Sequence, residues 1–221
     1  MSKKKTKKRN EITSKTELSE EESLIILDAL KTDDRPRMLS LYSEINDESS
    51  AEIVNSLMVL KDLDREPVFE DPADATSEII DYVHKPIELI ISSWGGEALN
   101  MFAIYDAMRI ARKKCDVSTI GLGKVMSAGV LLLASGTKGK RRIGANCRVM
   151  LHSVCGGQVG SLHNLENEMA ETRWIQKQHI KALLEETSMT PRQLKTLLNK
   201  KINVYFDAEQ AVKYGIADEI V

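Results

Sequence analysis

The spacing of apolar residues changes along the chain, and the changes delimit its elements. Ser19-Glu20-Glu21-Glu22 has the S-x-x-E form of a capping box ahead of the apolar run 24–30, which predicts a short helix stopped by Pro36. Residues 38–42 read as a brief strand. Asn46 to Ser50 offer cap residues for a helix through Leu60, with Ile53, Val54, Leu57 and Met58 on one face. The segment 61–85 breaks this order. It is acidic, carries Pro67 and Pro72, and suggests a helical turn or two only over 76–83.

From Pro86 short apolar strands alternate with helical patterns. Residues 87–91 predict a buried strand, Gly95-Gly96 a tight turn, and 98–113 a helix. A strand over 117–122, a helix over 127–135, a basic turn over 138–144 and a strand over 147–152 follow. Such alternation predicts parallel βαβ units and an α/β fold. One long helix is expected over 164–186. Thr190-Pro191-Arg192-Gln193 then restarts a helix with a T-x-x-Q box, and a last capped helix over 207–214 ends at Gly215. No internal repeat is evident.

A chain of 221 residues can build one substantial core with appendages. The pattern divides it into a basic disordered tail at 1–18 and a single domain at 19–221, within which 61–85 is an extended acidic insertion. No apolar run approaches the roughly twenty residues that span a bilayer. The N-terminal charges have no apolar stretch behind them, unlike a secretory signal. Cys115, Cys147 and Cys155 are odd in number and lack C-x-x-C spacing, as expected of reduced thiols rather than disulfides or a zinc site. The net charge of −2 hides an asymmetry: Lys3, Lys4, Lys5, Lys7, Lys8 and Arg9 carry six positive charges, and without them the formal total is −8. A solvated tail explains them; no aromatic interleaving points to nucleic acid, which is not an expected partner.

The candidate chemistry lies in GKVMSAGVLLLASG (123–136) and in VMLH (149–152). Ser127 sits where an apolar strand gives way to an apolar helix, whose free N–H groups and dipole stabilise negative charge. His152 ends the next β-rich segment, and histidine is the commonest general base for activating a hydroxyl. Together they read as an acyl-transfer site. His84, His163 and His179 lack such context and are expected on the surface or in helices.

The order strand–GG–helix–strand–Ser–helix–strand–His resembles the proteolytic subunit of the Clp protease. The similarity runs from about residue 38 to 221 with a gap at 61–85. It rests on ISSWGGEALNMFAIYDAM (91–108), the serine segment, GKRRIGANCRVMLH (139–152) and YFDAEQAVKYGIADEI (205–220). The resemblance implies a fold of repeated βαβ units, of the ClpP/crotonase type, with residues 164–186 as a protruding handle helix. It implies an ATP-dependent-type serine endopeptidase that cleaves unfolded proteins or peptides inside a closed chamber. Ser127 would be the nucleophile, His152 its base, and the N–H groups of Gly96 and Ala128 the oxyanion hole. A cytoplasmic double-ring homo-oligomer of fourteen subunits, an AAA+ unfoldase partner, and no cofactor or metal are further implications.

The chain departs from the family pattern at several positions. Asn203 stands where the family places its third triad member, an aspartate. Its amide oxygen can accept from the histidine Nδ1–H but brings no charge to an imidazolium. Asp207 is better explained as a helix cap. Trp94 replaces a proline before the glycine pair, and Ser153-Val154-Cys155 replaces a glutamine–proline–apolar run. Asn203 keeps open a catalytically attenuated structural ring subunit that partners active paralogues. A viral capsid-maturation peptidase of the same fold and a crotonase-type acyl-CoA enzyme are the other readings, the last the weakest.

Overall fold

The computed structural model describes residues 37–63, 65–73, 77–199 and 202–221. The tail at 1–18 and the helix expected at 24–30 lie outside them. In chain order the elements begin with β1 (Met38–Leu41), α1 (Asp47–Leu60), β2 (Arg65–Phe69), β3 (Ile79–His84), β4 (Ile87–Ser93), α2 (Ala98–Ala111) and β5 (Val117–Met126). They continue with α3 (Ala128–Ala134), β6 (Arg141–Ile143), β7 (Arg148–Leu151), α4 (Leu162–Glu186), α5 (Pro191–Leu198), β8 (Val204–Phe206), α6 (Ala208–Lys213) and β9 (Glu219–Ile220).

The expected α/β fold is present. The main sheet runs β1-β4-β5-β6-β9 with every pair parallel. A parallel sheet is covered on both faces, so its strands need nearly continuous apolar side chains. Accordingly Ile87, Leu89 and Ile91 of β4 are fully buried. Helix α3 is apolar all round, and all seven of its residues are buried. Each fully buried leucine there contributes on the order of 1.5–3 kcal/mol. Caps set the helix starts as the sequence suggests: Asn46, Thr190 and Asp207 each form a reciprocal capping box.

Strand β5 extends past residue 122, the end expected for it, because it serves two partners in succession. Thr119–Gly121 pair with β6, and Lys124–Met126 pair with β7. Gly123 lies between the two registers with a φ of 65°. Part of the expected basic turn at 138–144 is β6, whose three residues are held by β5 on one side and β9 on the other. Strand β8 joins β7 antiparallel, with Leu151 opposite Val204.

Among the described residues 77–83, the expected helical turn is not formed. Its C-terminal part is β3, in an antiparallel hairpin with β2. Ile79, Ile80, Tyr82 and Val83 are β-branched or aromatic, and they prefer the pleated surface to a helix. The Arg65 guanidinium lies 4.4 Å from the Tyr82 ring centroid across this hairpin.

Arg141, 4% exposed, joins distant elements. Its guanidinium donates to Asp218 and to the backbone carbonyls of Ala134, Glu186 and Gly215. Full pairing makes a buried charge tolerable.

Candidate active site

Burial of α3 fixes the position of Ser127, which directly follows β5. Its φ of 53° is the single positive value among described non-glycine residues. Such a conformation costs on the order of 1–3 kcal/mol and persists where the surroundings over-determine it. Here the wholly buried α3 begins at the next residue, and the Ser127 N–H donates to the Met150 carbonyl at 2.7 Å. That bond ties the serine to β7, the strand that delivers His152. The result is a separation of 2.7 Å between Ser127 Oγ and His152 Nε2.

The glycine pair shapes the opposite wall. Gly95 and Gly96 have φ values of 94° and 150°. A Cβ on Gly95 would lie 2.7 Å from the Ser127 Cβ, and one on Gly96 would run into the Ile45 backbone. The loop is strapped in place by Ile45 N–H to Gly95 O and Glu97 N–H to Ile45 O, both 2.8 Å. The N–H groups of Gly96 and Ala128 donate to no acceptor among the described residues, and both residues line a cavity with Ser127 and His152. This cavity, of about 300 Å³, is also lined by Glu44, Glu97, Met101, Val154, Cys155 and His179. The arrangement presents a hydroxyl, a base and two unused N–H donors to one opening, the parts that acyl transfer requires.

Asn203 stands differently. Continuing the β7–β8 register by one residue sets it opposite His152. Its side chain is exposed, and no hydrogen bond joins it to His152 among the described residues. Asp207 accepts the Gln210 N–H at 2.8 Å as a helix cap, the role its sequence context suggests.

His179 was expected on the surface or in a helix. It lies in α4, yet it is only 5% exposed and forms part of the cavity wall. Its Nε2 is buried without a partner among the described residues. Burial, reinforced by the nearby His152, holds its pKa down to about 4, so the ring is neutral at pH 7. The signal for its burial was available in the helical spacing: His179, Ala182, Leu183 and Glu186 follow i, i+3, i+4, i+7 and are the buried face of α4. Its proximity to His152, by contrast, has no signature in the sequence. Glu44 and Glu97 were missed for the same reason, since segments far apart in the chain bring them to one rim.

The three thiols are free; Cys115 and Cys147 are buried, and Cys155 is exposed at the cavity. Burial pushes the Cys147 thiol up to about 11, which leaves it a protonated packing group. No described helix is long and apolar enough to cross a membrane.

The family profile described as Clp protease matches residues 80–221. Among curated proteins, the chain is 35% identical over 137 residues to the ATP-dependent Clp protease proteolytic subunit 2 of Chlamydia pneumoniae, covering 62% of this chain and 66% of that protein. It is 31% identical over 185 residues to proteolytic subunit 1 of Corynebacterium glutamicum, covering 83% and 78%. Subunit 1 of Corynebacterium jeikeium is 29% identical over 187 residues, covering 85% and 88%. The chain thus spans just under two thirds of the chlamydial relative and more of the corynebacterial ones. These similarities do not favour the crotonase-type or capsid-maturation readings. With more than half of its length matched by the profile, and most of it by relatives of about 30% identity, the chain belongs to the Clp protease family.

Proposed function

We propose that the protein is a serine endopeptidase of the Clp type, acting on unfolded proteins or peptides in the cytoplasm. The observation that carries this reading is the 2.7 Å approach of Ser127 Oγ to His152 Nε2 beside two unused N–H donors. Ser127 Oγ attacks the scissile carbonyl carbon as His152 Nε2 takes its proton. The carbonyl oxygen, now carrying the charge, sits between the Gly96 and Ala128 N–H groups. His152 then passes the proton to the leaving amine, and water releases the acyl group from Ser127 by the reverse sequence. This role requires the His152 proton to rest on Nδ1.

The proposed assembly is a closed double ring of fourteen copies served by an AAA+ unfoldase, as the family resemblance implies. Helix α4 supports the handle role. Before His179 it has no buried residue, while Leu162 and Met169 are exposed at 68% and 55%. An amphipathic helix so unburied calls for a partner surface.

Incubation with a serine-directed fluorophosphonate, followed by mass spectrometry, tests the chemistry. The adduct is expected on Ser127 alone. Ser127→Ala is expected to lower peptide turnover by up to about 10⁶-fold while native mass spectrometry still records the ring. Labelling elsewhere, or undiminished turnover by the variant, defeats the assignment; a monomeric mass for the wild type defeats the assembly.

A further inference from the structure

The walls of the cavity are chemically lopsided. Glu44 and Glu97 line it, and neither lysine nor arginine does. Both carboxylates are exposed, and neither takes part in a salt bridge among the described residues. Carboxylates elsewhere commonly have cationic partners: Asp116 with Lys140, Glu186 with Arg112, Asp218 with Arg141.

Glu97 is also held in place. The Asn100 Nδ2 donates to Glu97 Oε2 at 2.6 Å and to Asp47 Oδ1 at 2.9 Å, while the Asn100 amide oxygen accepts from Ser50 Oγ at 2.8 Å. Asn100 therefore fastens two like-charged carboxylates side by side without neutralising either. Glu97 Oε1 retains its lone pairs, one residue beyond the Gly96 N–H. The deeper wall adds His179, which is neutral and whose Nε2 has no partner among the described residues. A neutral imidazole does not oppose an incoming cation and offers a hydrogen bond to it. An acidic side chain entering the same space meets two carboxylates and no cationic side chain to offset them.

We propose that this cleft selects substrates with a lysine or arginine beside the scissile bond, with Glu97 as the main specificity-determining residue and Glu44 as the second. The inference rests on the reading of the cleft as a peptide-binding site. Part-exposed ion pairs are modest, so selection of about three- to tenfold per carboxylate is expected, weakening as salt rises.

The test uses full-length Ser127→Ala protein, so that binding is read without turnover. Fluorescent peptides identical except for a central lysine, leucine or glutamate are titrated by anisotropy at low and high salt. The lysine peptide is expected to bind tightest and the glutamate peptide weakest. Adding Glu97→Gln should shrink the difference, and Glu97→Lys should invert the order. Equal binding of all three peptides, or an order unmoved by Glu97→Lys, overturns this inference alone. No binding of any peptide overturns the reading of the cleft, and this inference with it.

Discussion

The two sides of His152 are built to different standards. On the Nε2 side, Ser127 is fixed by the buried α3, by a hydrogen bond to β7, and by glycines that admit no side chain. Across the β7–β8 pairing from His152 stands Asn203, exposed, at the approach to a short strand and without a hydrogen bond to the ring among the described residues. The difference shows where the fold invests its order. The groups proposed to bond to the substrate carbonyl are preorganised by the parallel sheet, whereas the group proposed to orient the base depends on the end of a three-residue antiparallel strand. In the proposed mechanism, catalysis leans on the Gly96 and Ala128 N–H groups and the Ser127–His152 contact more than on a third residue.

The strongest challenge to that contrast is Gly96→Ala. Its Cβ would collide with the Ile45 backbone, so the loop must shift and carry the Gly96 N–H with it. Turnover is expected to fall by about 10²–10³-fold, the loss typical of one missing oxyanion donor. Steady-state kinetics on folded, assembled protein measures it. A loss below tenfold would mean that the ordered side is less important than its rigidity suggests.

His179, in the wall of the same cavity, adds a test through pH. Its pKa is about 4 in the folded chain against an ordinary 6.5, so the unfolded chain takes up the proton first as pH falls. Stability from this group is therefore complete above about pH 6.5 and is lost progressively towards pH 4. The full loss is on the order of 3 kcal/mol for this nearly completely buried ring. Carboxylates titrate in acid as well, so the quantity to measure is the difference between wild type and His179→Leu. Urea unfolding across this range should give the wild type a steeper decline. Parallel curves would show that His179 is solvated or paired in solution.

Asn203 carries the smallest expected effects. Asn203→Asp places a carboxylate opposite His152, but in a solvated position where charge is screened. A rise in kcat of roughly two- to tenfold is expected, far less than the ~10⁴ attached to a buried triad aspartate in serine proteases. Asn203→Ala should stay within about twofold of wild type, because no hydrogen bond to His152 is lost. A hundredfold change in either variant would erase the contrast and make the third position equal to the other two.

Much of this is legible in the sequence. The alternation after Pro86 marks the βαβ units, and the caps at Asn46, Thr190 and Asp207 announce helix starts because each satisfies its own first-turn N–H groups locally. The serine and histidine segments stand out because each follows an apolar strand, and strand ends are where such a fold presents its chemistry. The hairpin at 65–69 and 79–84 was less readable. Its prolines and acidic residues obscure a pairing that only becomes apparent once the two strands are opposite each other.

The sequence by itself determined the α/β class, the starts of the capped helices and the segments bearing Ser127, His152 and the glycine pair, since periodicity and capping act over a few residues. The tertiary structure alone decided that β5 would switch partners at Gly123, that Ser127 and His152 would meet at 2.7 Å, that His179 would be buried beside His152, and that Glu44 and Glu97 would share a cavity rim. Those outcomes depend on packing between residues dozens of positions apart, where no local pattern reports the distance.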